Sequence, residues 1–315
     1  MTEVRRIASL LSSATEILFA LEAGDRVVAV GHECDYPPAV ADLPRVTFSL
    51  VDSANDSATI DEQVKQLATA GDALYGVDDK QIVELAPDVI VTQSQCDVCA
   101  VRYQDVLDLV ERTPELRGTP VVALNPTSLE ELCADIRRVG TAIGSDAVAE
   151  RLVGTLDTRV KAVAKTAASL AKTHRPRVAC VEWIEPLMLG ANWMPQMVNL
   201  AGGQNVISEA GHSTYSTWDT VLDFDPEVIV VMPCGFDLER AIAESGPLLQ
   251  RTGWAGLSAV QQGRVYAVDG NAYFNRSGPR LVDSLEILAH LIHPQHFPLE
   301  SLSSDAARAM RRLVD

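Results

Sequence analysis

Two short segments of the chain share one pattern of apolar and polar positions. Residues 85–92 (LAPDVIVT) and 224–231 (FDPEVIVV) each end a helical segment, pass through a proline and an acidic residue, and enter a β-branched run. Proline stops a helix, and a continuous β-branched run is typical of a strand buried in a parallel sheet. Each segment therefore predicts a helix end followed by a central strand, and the pair indicates an internal repeat.

Other apolar runs of strand length surround both copies of the repeat. They are residues 6–10, 27–30, 121–124, 177–181 and 265–268. Helical segments that end near residues 22–24 and 200–203 follow the first and fourth of these runs. Because strands that alternate with helices form parallel sheets, we predict an α/β fold with two parallel-sheeted lobes of related plan.

A long helix is predicted between the two copies. Residues 146–172 contain no proline and one glycine, Gly154, and their apolar positions recur every three to four residues. We interpret this helix as a bridge at residues 146–174 that joins an N-terminal lobe, 1–145, to a C-terminal lobe, 175–315. One helix of a single large domain is the alternative. Residues 49–79 form an acidic segment without a counterpart in the second half, and residues 306–313 predict a terminal helix.

Length and charge narrow the classes of function. The 315 residues suit about two domains, and 26 Lys and Arg against 43 Asp and Glu give a formal net charge of −17. Phosphate backbones require clustered cations, so nucleic acid is excluded as a partner, and an anionic membrane surface would repel the chain. No apolar stretch approaches the length of a membrane span, so we expect no membrane insertion.

The first residues resemble a signal peptide only superficially, because Glu16 interrupts their apolar segment and no small-residue cleavage site follows. As written, the chain is expected in the cytoplasm; a start site further upstream would make it periplasmic or attached to the cell surface. The six cysteines are then expected as thiols or metal ligands rather than disulfides.

Ligands of open parallel sheets bind beyond the carboxyl ends of the strands, so the residues that follow each predicted strand are candidate contacts. In the first half these candidates are His32, Cys34, Tyr36, Gln95, Cys96 and Cys99. In the second half they are Trp183, Cys234, Tyr273, Phe274 and Arg276, joined by the loop aromatics Trp193, Tyr215 and Trp218. Aromatic side chains in loops suit a flat, partly apolar ligand, although ordinary packing of long loops is the alternative.

The thiols allow a second kind of site. Cys96 and Cys99 have the spacing of half a zinc site, and Cys34 with His32, or Cys234, would supply further ligands for zinc or iron. The alternative is that these cysteines are small, semi-buried loop residues. A redox role of the Cys96–Cys99 pair is also possible, but its flanks are not thioredoxin-like.

Five segments, in order along nearly the whole chain, resemble the cobalamin-binding and ferric-siderophore-binding solute receptors of ABC importers. They are residues 12–18 (SSATEIL), 34–38 (CDYPP), 85–91 (LAPDVIV), 200–203 (LAGG) and 274–280 (FNRSGPR). The resemblance implies two lobes, one bridging helix, a ligand cleft between the lobes and a monomer. Residues 34–38 and 276–280 favour the cobalamin branch. By position, the residues expected to line a corrin-sized cleft are Tyr36, Trp183, Tyr215 or Trp218, and Tyr273.

The resemblance also implies an ABC permease as partner, docked through one acidic residue on each lobe ahead of the repeated strand. Asp219 occupies this position in the second half, whereas Lys80 stands at the corresponding position of the first half. A charge placed at a docking contact acts on specificity and association rate more than on fold.

The leading hypothesis is a non-catalytic protein that binds cobalamin or a related corrinoid, a small-molecule metal chelate. A ferric-siderophore or haem-type chelate is an alternative ligand. A cysteine-ligated metal or redox protein on the same scaffold is an alternative of a different class. A hydrolase is disfavoured, because the chain lacks a Gly-x-Ser-x-Gly segment or another nucleophile motif.

Overall fold

The structure, a computed structural model, describes residues 3–95, 100–170, 174–208 and 211–313. Its backbone contacts divide the chain into two units. The first contains the residues up to Asn55 and Thr59–Thr155, and the second contains Asp56–Ala58 and the residues from Leu156 onwards.

In the first half of the chain, strands and helices alternate. The strands are β1 (Ile7–Ser9), β2 (Val27–Val30), β3 (Thr47–Ser49), β4 (Tyr75–Val77), β5 (Val89–Gln93) and β6 (Val121–Leu124). The helices are α1 (Ser12–Ala20), α2 (Ser57–Ala70), α3 (Asp79–Leu85), α4 (Tyr103–Arg112), α5 (Leu129–Ile143) and α6 (Asp146–Leu170). Strands β2, β1, β5 and β6 form a parallel sheet in that order, and β3 pairs with β4 in antiparallel orientation.

The second half repeats this plan. Its strands are β7 (Val178–Trp183), β8 (Met188–Leu189), β9 (Val228–Val231), β10 (Val265–Val268) and β11 (Met310–Arg312). Its helices are α7 (Met194–Leu200), α8 (Trp218–Phe224), α9 (Leu238–Ala243), α10 (Gly246–Leu249), α11 (Ser258–Gln261), α12 (Leu281–Ile292) and α13 (Ser304–Arg308). The sheet order is β11-β10-β9-β7-β8, with β10, β9 and β7 parallel and both edge strands antiparallel.

The predicted repeat extends to individual helix caps. Helices α3 and α8 each begin after a side chain that accepts backbone hydrogen bonds from the first turn, Asp78 in α3 and Thr217 in α8. Each ends at a left-handed residue directly before the proline, Ala86 with φ 38° and Asp225 with φ 45°. The two segments therefore correspond residue by residue, and the predicted α/β plan with parallel sheets is confirmed.

The acidic residue after each proline holds the neighbouring strand. Oδ2 of Asp88 accepts the backbone N–H of Arg6 at 2.9 Å, and Oε2 of Glu227 accepts that of Arg177 at 3.0 Å. Arg6 directly precedes β1, and Arg177 directly precedes β7. Each carboxylate therefore aligns the first strand of its half with β5 or β9, and so sets where these strands end.

Strands β5 and β9 are buried along their whole length, as their β-branched runs predict. Apolar side chains cover both faces of a parallel sheet, so the cores form around these central strands. In the first unit the core includes Ala8, Ile90 and Leu109, and in the second it includes Ala179, Ile229 and Leu257.

Of two predicted helices, one begins where it was predicted and the other is replaced by a strand. Helix α6 begins at Asp146 as predicted, and residues 171–173, where it was expected to end, lie outside the described part of the chain. The terminal helix predicted at residues 306–313 is wrong. Helix α13 ends at Arg308, and Met310–Arg312 form β11, because the open edge of β10 offers hydrogen bonds to an added strand.

Within the described ranges, no helix is long and apolar enough to cross a membrane.

A turn of π-helix after β10 depends on a close backbone approach. This turn, Gly270–Phe274, begins at a glycine where an added Cβ would lie 2.3 Å from the carbonyl oxygen of Pro233 and 2.8 Å from that of Met232. These oxygens belong to the backbone that follows β9, so they cannot turn aside as a flexible side chain would. Gly270 is therefore required where the ends of β9 and β10 meet.

Replacing Gly270 by alanine should lower the free energy of unfolding by about 2 kcal/mol or more, because the added methyl group displaces backbone. The matched control is Gly246→Ala, where an added Cβ meets nothing within 4 Å. The control should change stability by less than about 0.5 kcal/mol. Urea unfolding followed by circular dichroism measures both. Equal unfolding midpoints for the two variants would disprove the close approach.

Candidate functional site

The loop after β2 is held in place by one arginine. Nη1 of Arg45 donates to the carbonyl oxygen of Gly31 at 3.0 Å and also donates to that of Cys34. Two carbonyl groups of the loop thus point at the same guanidinium group. The loop that carries the predicted residues His32, Cys34 and Tyr36 begins from a fixed position at the carboxyl end of its strand.

His32 is anchored through both its backbone and its ring. The hydroxyl oxygen of Thr47 accepts the backbone N–H of His32 at 2.8 Å and lies 2.7 Å from Nδ1 of the ring. The ring also faces Tyr75, with 5.4 Å between the ring centroids. These contacts leave Nε2 as the ring nitrogen that is available for a further partner.

Nε2 of His32 is buried and makes no hydrogen bond to any residue that the structure describes. Burial, and then the positive charge of Arg45, lower the pKa of His32 below its usual 6.5. The imidazole is therefore neutral at pH 7, and a neutral imidazole is a common ligand of metal ions. If Nδ1 carries the proton and donates it to Thr47, Nε2 presents its lone pair.

The other candidates of the first unit differ in accessibility. Tyr36 is 41% exposed, whereas Cys34 is 1% exposed and receives a hydrogen bond from the hydroxyl of Thr15 at 3.1 Å. The buried thiol fits packing, and the expectation that Cys34 contacts a ligand or a metal stays a prediction. Gln95, which is partly exposed, stays a predicted contact.

The predicted metal site is not tested by this structure. Cys96 and Cys99 lie outside the described residues. Among residues 3–95, 100–170, 174–208 and 211–313, no group of three or more His, Cys, Asp or Glu side chains is arranged to hold a metal ion. Zinc or iron at Cys96 and Cys99 therefore stays a prediction.

In the second unit, several of the predicted loop aromatics are buried. Trp193 is 6% exposed, and its indole N–H donates to the carbonyl oxygen of Phe274 at 2.9 Å, while Phe274 is 1% exposed. Tyr273 is 6% exposed, and burial raises its pKa to about 12. All three side chains are buried, and their role as ligand contacts stays a prediction.

Trp218 and Arg276 are also engaged within the second unit. The indole N–H of Trp218 donates to the carbonyl oxygen of Thr252 at 2.8 Å, and its ring stacks on Trp254 with 6.0 Å between centroids. Arg276 is 8% exposed and donates to Oδ1 of Asn271 at 2.8 Å. Trp218 therefore stabilises the start of α8, and Arg276 stabilises the π-helical turn; neither role requires a ligand.

Trp183, Tyr215 and Cys234 are further candidate contacts of the second unit. Tyr215 is 51% exposed. One face of Trp183 packs on Phe236 at 5.3 Å between centroids, and the backbone N–H of Cys234 donates to the carbonyl oxygen of Glu182 at 3.1 Å. Trp183 and Cys234 thus lie together where β7 and β9 end, as the sequence predicts.

Glu182 is a residue of this edge that the sequence analysis did not select. Its Oε2 accepts the hydroxyl of Ser213 at 2.8 Å, and that hydroxyl lies 3.3 Å from the backbone N of Ala191. Burial raises the pKa of Glu182. Ser213 stands two residues before Tyr215, so the carboxyl group fixes the segment that presents the exposed tyrosine. The sequence carries a signal for Glu182, because it is a charged residue at the end of a buried apolar run.

The two positions discussed for permease docking are equivalent in the repeat. Lys80 is the second residue of α3, and Asp219 is the second residue of α8. Both side chains are exposed. The structure therefore places opposite charges at matching positions of the two halves.

Comparison with known proteins gives matches along most of the chain. Residues 7–272 match the family described as "Periplasmic binding protein". An uncharacterized ABC transporter substrate-binding lipoprotein of Bacillus subtilis, YvrC, is 26% identical over 94% of this chain and 82% of its own length. The vitamin B12-binding protein of Vibrio cholerae is 26% identical over 89% of this chain and 86% of its own length.

Solved structures show the same fold. A periplasmic heme-binding protein from Pseudomonas aeruginosa superposes with a TM-score of 0.69 at 20% identity, over 92% of this chain and 93% of its own. At this identity the likeness establishes the fold with its two parallel-sheeted lobes and does not identify a ligand.

The lowered pKa of His32 predicts a dependence of stability on pH. In the unfolded chain the imidazole binds a proton near pH 6.5, and in the folded chain it does so only at lower pH. The stability that His32 provides above pH 6.5 is therefore lost as the pH falls from 7 through the folded pKa. The unfolding midpoint of the wild type should fall more between pH 7 and 5 than that of His32→Gln.

The control for this measurement is His212→Gln, which removes an exposed histidine and should follow the wild type at every pH. An NMR titration of the His32 ring gives the pKa directly. A value at or above 6.5 would contradict the buried, neutral state.

Proposed function

Because this chain belongs to the periplasmic binding protein family, we propose that it is the substrate-binding component of an ABC importer and that its ligand is cobalamin or a related corrinoid. Binding and delivery are then its activity, and no chemical step on the ligand is involved. The observation that carries the proposal is the similarity, over nearly the whole chain, to proteins named for binding vitamin B12.

The first unit offers chemistry suited to a metal chelate. Tyr36 presents an exposed aromatic ring, on which a flat macrocycle stacks favourably. In the same loop, Nε2 of His32 is a neutral nitrogen without a hydrogen-bond partner among the described residues. Since this nitrogen is covered, a bond from it to cobalt requires the loop to open, whereas stacking on Tyr36 does not.

The second unit offers apolar and hydrogen-bonding groups. Tyr215 is half exposed and held by the Glu182–Ser213 hydrogen bond, and Trp183 is positioned by Phe236. Rigid aromatic side chains lose little conformational entropy when a ligand binds, so they supply much of the affinity. We therefore assign Tyr36, Tyr215 and Trp183 as the main candidate contacts.

A haem or ferric-siderophore chelate is the second candidate ligand. It is favoured by the structural likeness to a protein named for binding heme. It is also favoured by Nε2 of His32, which makes no hydrogen bond to a described residue, since histidine is a usual ligand of haem iron. The cysteine-ligated metal site is a separate hypothesis. Elemental analysis of anaerobically purified protein tests it, and the absence of stoichiometric zinc or iron would eliminate it.

The proposed function includes a permease partner and a place outside the cytoplasmic membrane. A relative of this chain is named a substrate-binding lipoprotein of an ABC transporter. In the second unit, Asp219 is exposed in the first turn of α8 and available for a cation of the permease. The monomeric state is part of the same proposal.

Titration with cyanocobalamin, cobinamide, hemin and a ferric siderophore, followed by tryptophan fluorescence and visible absorbance, tests this function. We expect saturable binding of the corrinoids. Tyr215→Ala should weaken that binding by about fivefold, since loss of one stacked aromatic ring costs on the order of 1 kcal/mol. Leu299→Ala, which truncates another exposed apolar side chain, is the control and should bind as the wild type does.

The outcomes separate the hypotheses. If hemin or the siderophore binds and neither corrinoid does, the ligand is the chelate that binds and not cobalamin. No binding of any chelate up to about 100 μM would reject the function, because that affinity is too weak for a dedicated receptor. A shift in the visible spectrum that His32→Ala abolishes would identify a bond from imidazole to the metal.

A further inference from the structure

The ring of Trp183, one of the proposed ligand contacts, is held by two neighbours within the second unit. It packs on the ring of Phe236, with 5.3 Å between the ring centroids. Its indole N–H donates to the carbonyl oxygen of Ser57 at 3.2 Å, and Ser57 belongs to the same unit by its backbone contacts. Phe236 itself is 2% exposed, so its ring is a support for Trp183 and not a surface for a ligand.

The backbone of the segment that carries Phe236 is fixed by hydrogen bonds. The N–H of Cys234 donates to the carbonyl oxygen of Glu182 at 3.1 Å, and the N–H of Phe236 donates to that of Pro233 at 3.2 Å. The carbonyl oxygen of Phe236 accepts the N–H of Asn271 at 3.0 Å. The segment after β9 is thereby tied to the end of β7 and to the π-helical turn, which leaves the ring of Phe236 as the part that side chains must hold.

A guanidinium group lies over this ring. Cζ of Arg240 is 3.7 Å from the centroid of the Phe236 ring. Two carboxylates keep Arg240 in place, because Oδ1 of Asp237 accepts its backbone N–H at 2.8 Å and Oε1 of Glu244 lies 3.9 Å from its Nε. The face of an aromatic ring attracts a cation, and the attraction is stronger where the cation is partly buried, as Arg240 is. The contacts therefore form a series from Arg240 through Phe236 to Trp183.

Such a series affects how an indole binds a flat molecule. An aromatic side chain that is ordered before the ligand arrives loses little conformational entropy on binding, whereas a mobile one must be ordered at that moment. Removing the cation loosens the Phe236 ring and with it the ring of Trp183. The cost then appears in the affinity for the ligand, although Arg240 need not touch the ligand.

We propose that Arg240 is a positioning residue for the ligand contact Trp183, with its guanidinium group holding the Phe236 ring and that ring holding the indole in the orientation that stacks on a flat chelate. The inference rests on the proposed function, which makes Trp183 a ligand contact. It applies to a corrinoid and to a haem alike, because stacking on an indole depends on the flatness of the ligand.

The first test is the affinity for cyanocobalamin, or for hemin if only hemin binds. Arg240→Met keeps an unbranched apolar side chain over Phe236 and should weaken binding at least about threefold, through the loss of one partly buried cation–π contact. Arg240→Lys keeps the charge without the planar group and should lose less. The matched control is Arg312→Met, which removes a guanidinium group 5.9 Å from the centroid of the Tyr266 ring and should retain the wild-type affinity.

A double-mutant cycle determines whether Arg240 acts through Trp183. Trp183→Ala should itself weaken binding. Adding Arg240→Met to Trp183→Ala should cause less than about a 1.5-fold further loss, because no indole is left to position. A merely structural role of Arg240 would instead weaken binding by the same factor in both backgrounds.

The indole N–H signals of the full chain, labelled with ¹⁵N, give a readout that needs no ligand. The chain has four tryptophans, and the signal that Trp183→Ala removes belongs to Trp183. Arg240→Met should shift this signal, because the indole moves relative to the ring current of Phe236, and should leave the other three in place. Arg312→Met should leave all four unchanged.

An unshifted Trp183 signal in Arg240→Met would overturn the proposal. Wild-type affinity of Arg240→Met, or equal losses in the two backgrounds of the cycle, would overturn it as well. If the wild type bound no chelate, the proposed function would be rejected, and the indole signal alone would decide whether Arg240 positions Trp183: a shift supports the positioning role, and no shift overturns it.

Discussion

The carboxylates of Asp88 and Glu227 hold the backbone on which the rest of each half depends. Each stands after a proline that ends a helix, and each accepts a backbone N–H from the residue directly before the first strand of its half. The strand that follows the proline is thereby aligned with its neighbour. Because Gln95 follows β5, Trp183 ends β7 and Cys234 follows β9, the alignment sets the positions from which these candidate residues start.

A second group of buried polar contacts decides which residues at the strand ends can reach a ligand. Thr47 and Arg45 hold the His32 loop, and Glu182 holds the segment before Tyr215. Burial disfavours the charged form in both His32 and Glu182, lowering the pKa of one and raising that of the other. The neutral forms of these two groups suit recognition of a large, partly apolar ligand by stacking.

The local pattern of apolar and polar residues predicted much of the fold. The runs at residues 27–30, 121–124, 228–231 and 265–268 form strands as predicted, and the paired segments around Pro87 and Pro226 match down to their helix caps. The pattern failed at β11, because an edge strand forms through hydrogen bonds to β10, far away in sequence. The pattern also gave no sign that the indole N–H of Trp193 would donate to the carbonyl oxygen of Phe274, because the two residues lie far apart in the chain.

The sequence by itself determined the α/β class, the internal repeat, the acidic charge and the set of residues that follow the strands, since these depend on neighbours within a few positions. Only the tertiary structure decided which of those residues are accessible. It buried Cys34 and exposed Tyr215. The physical reason is that exposure depends on side chains that arrive from distant parts of the chain, and no local pattern records which of them will meet.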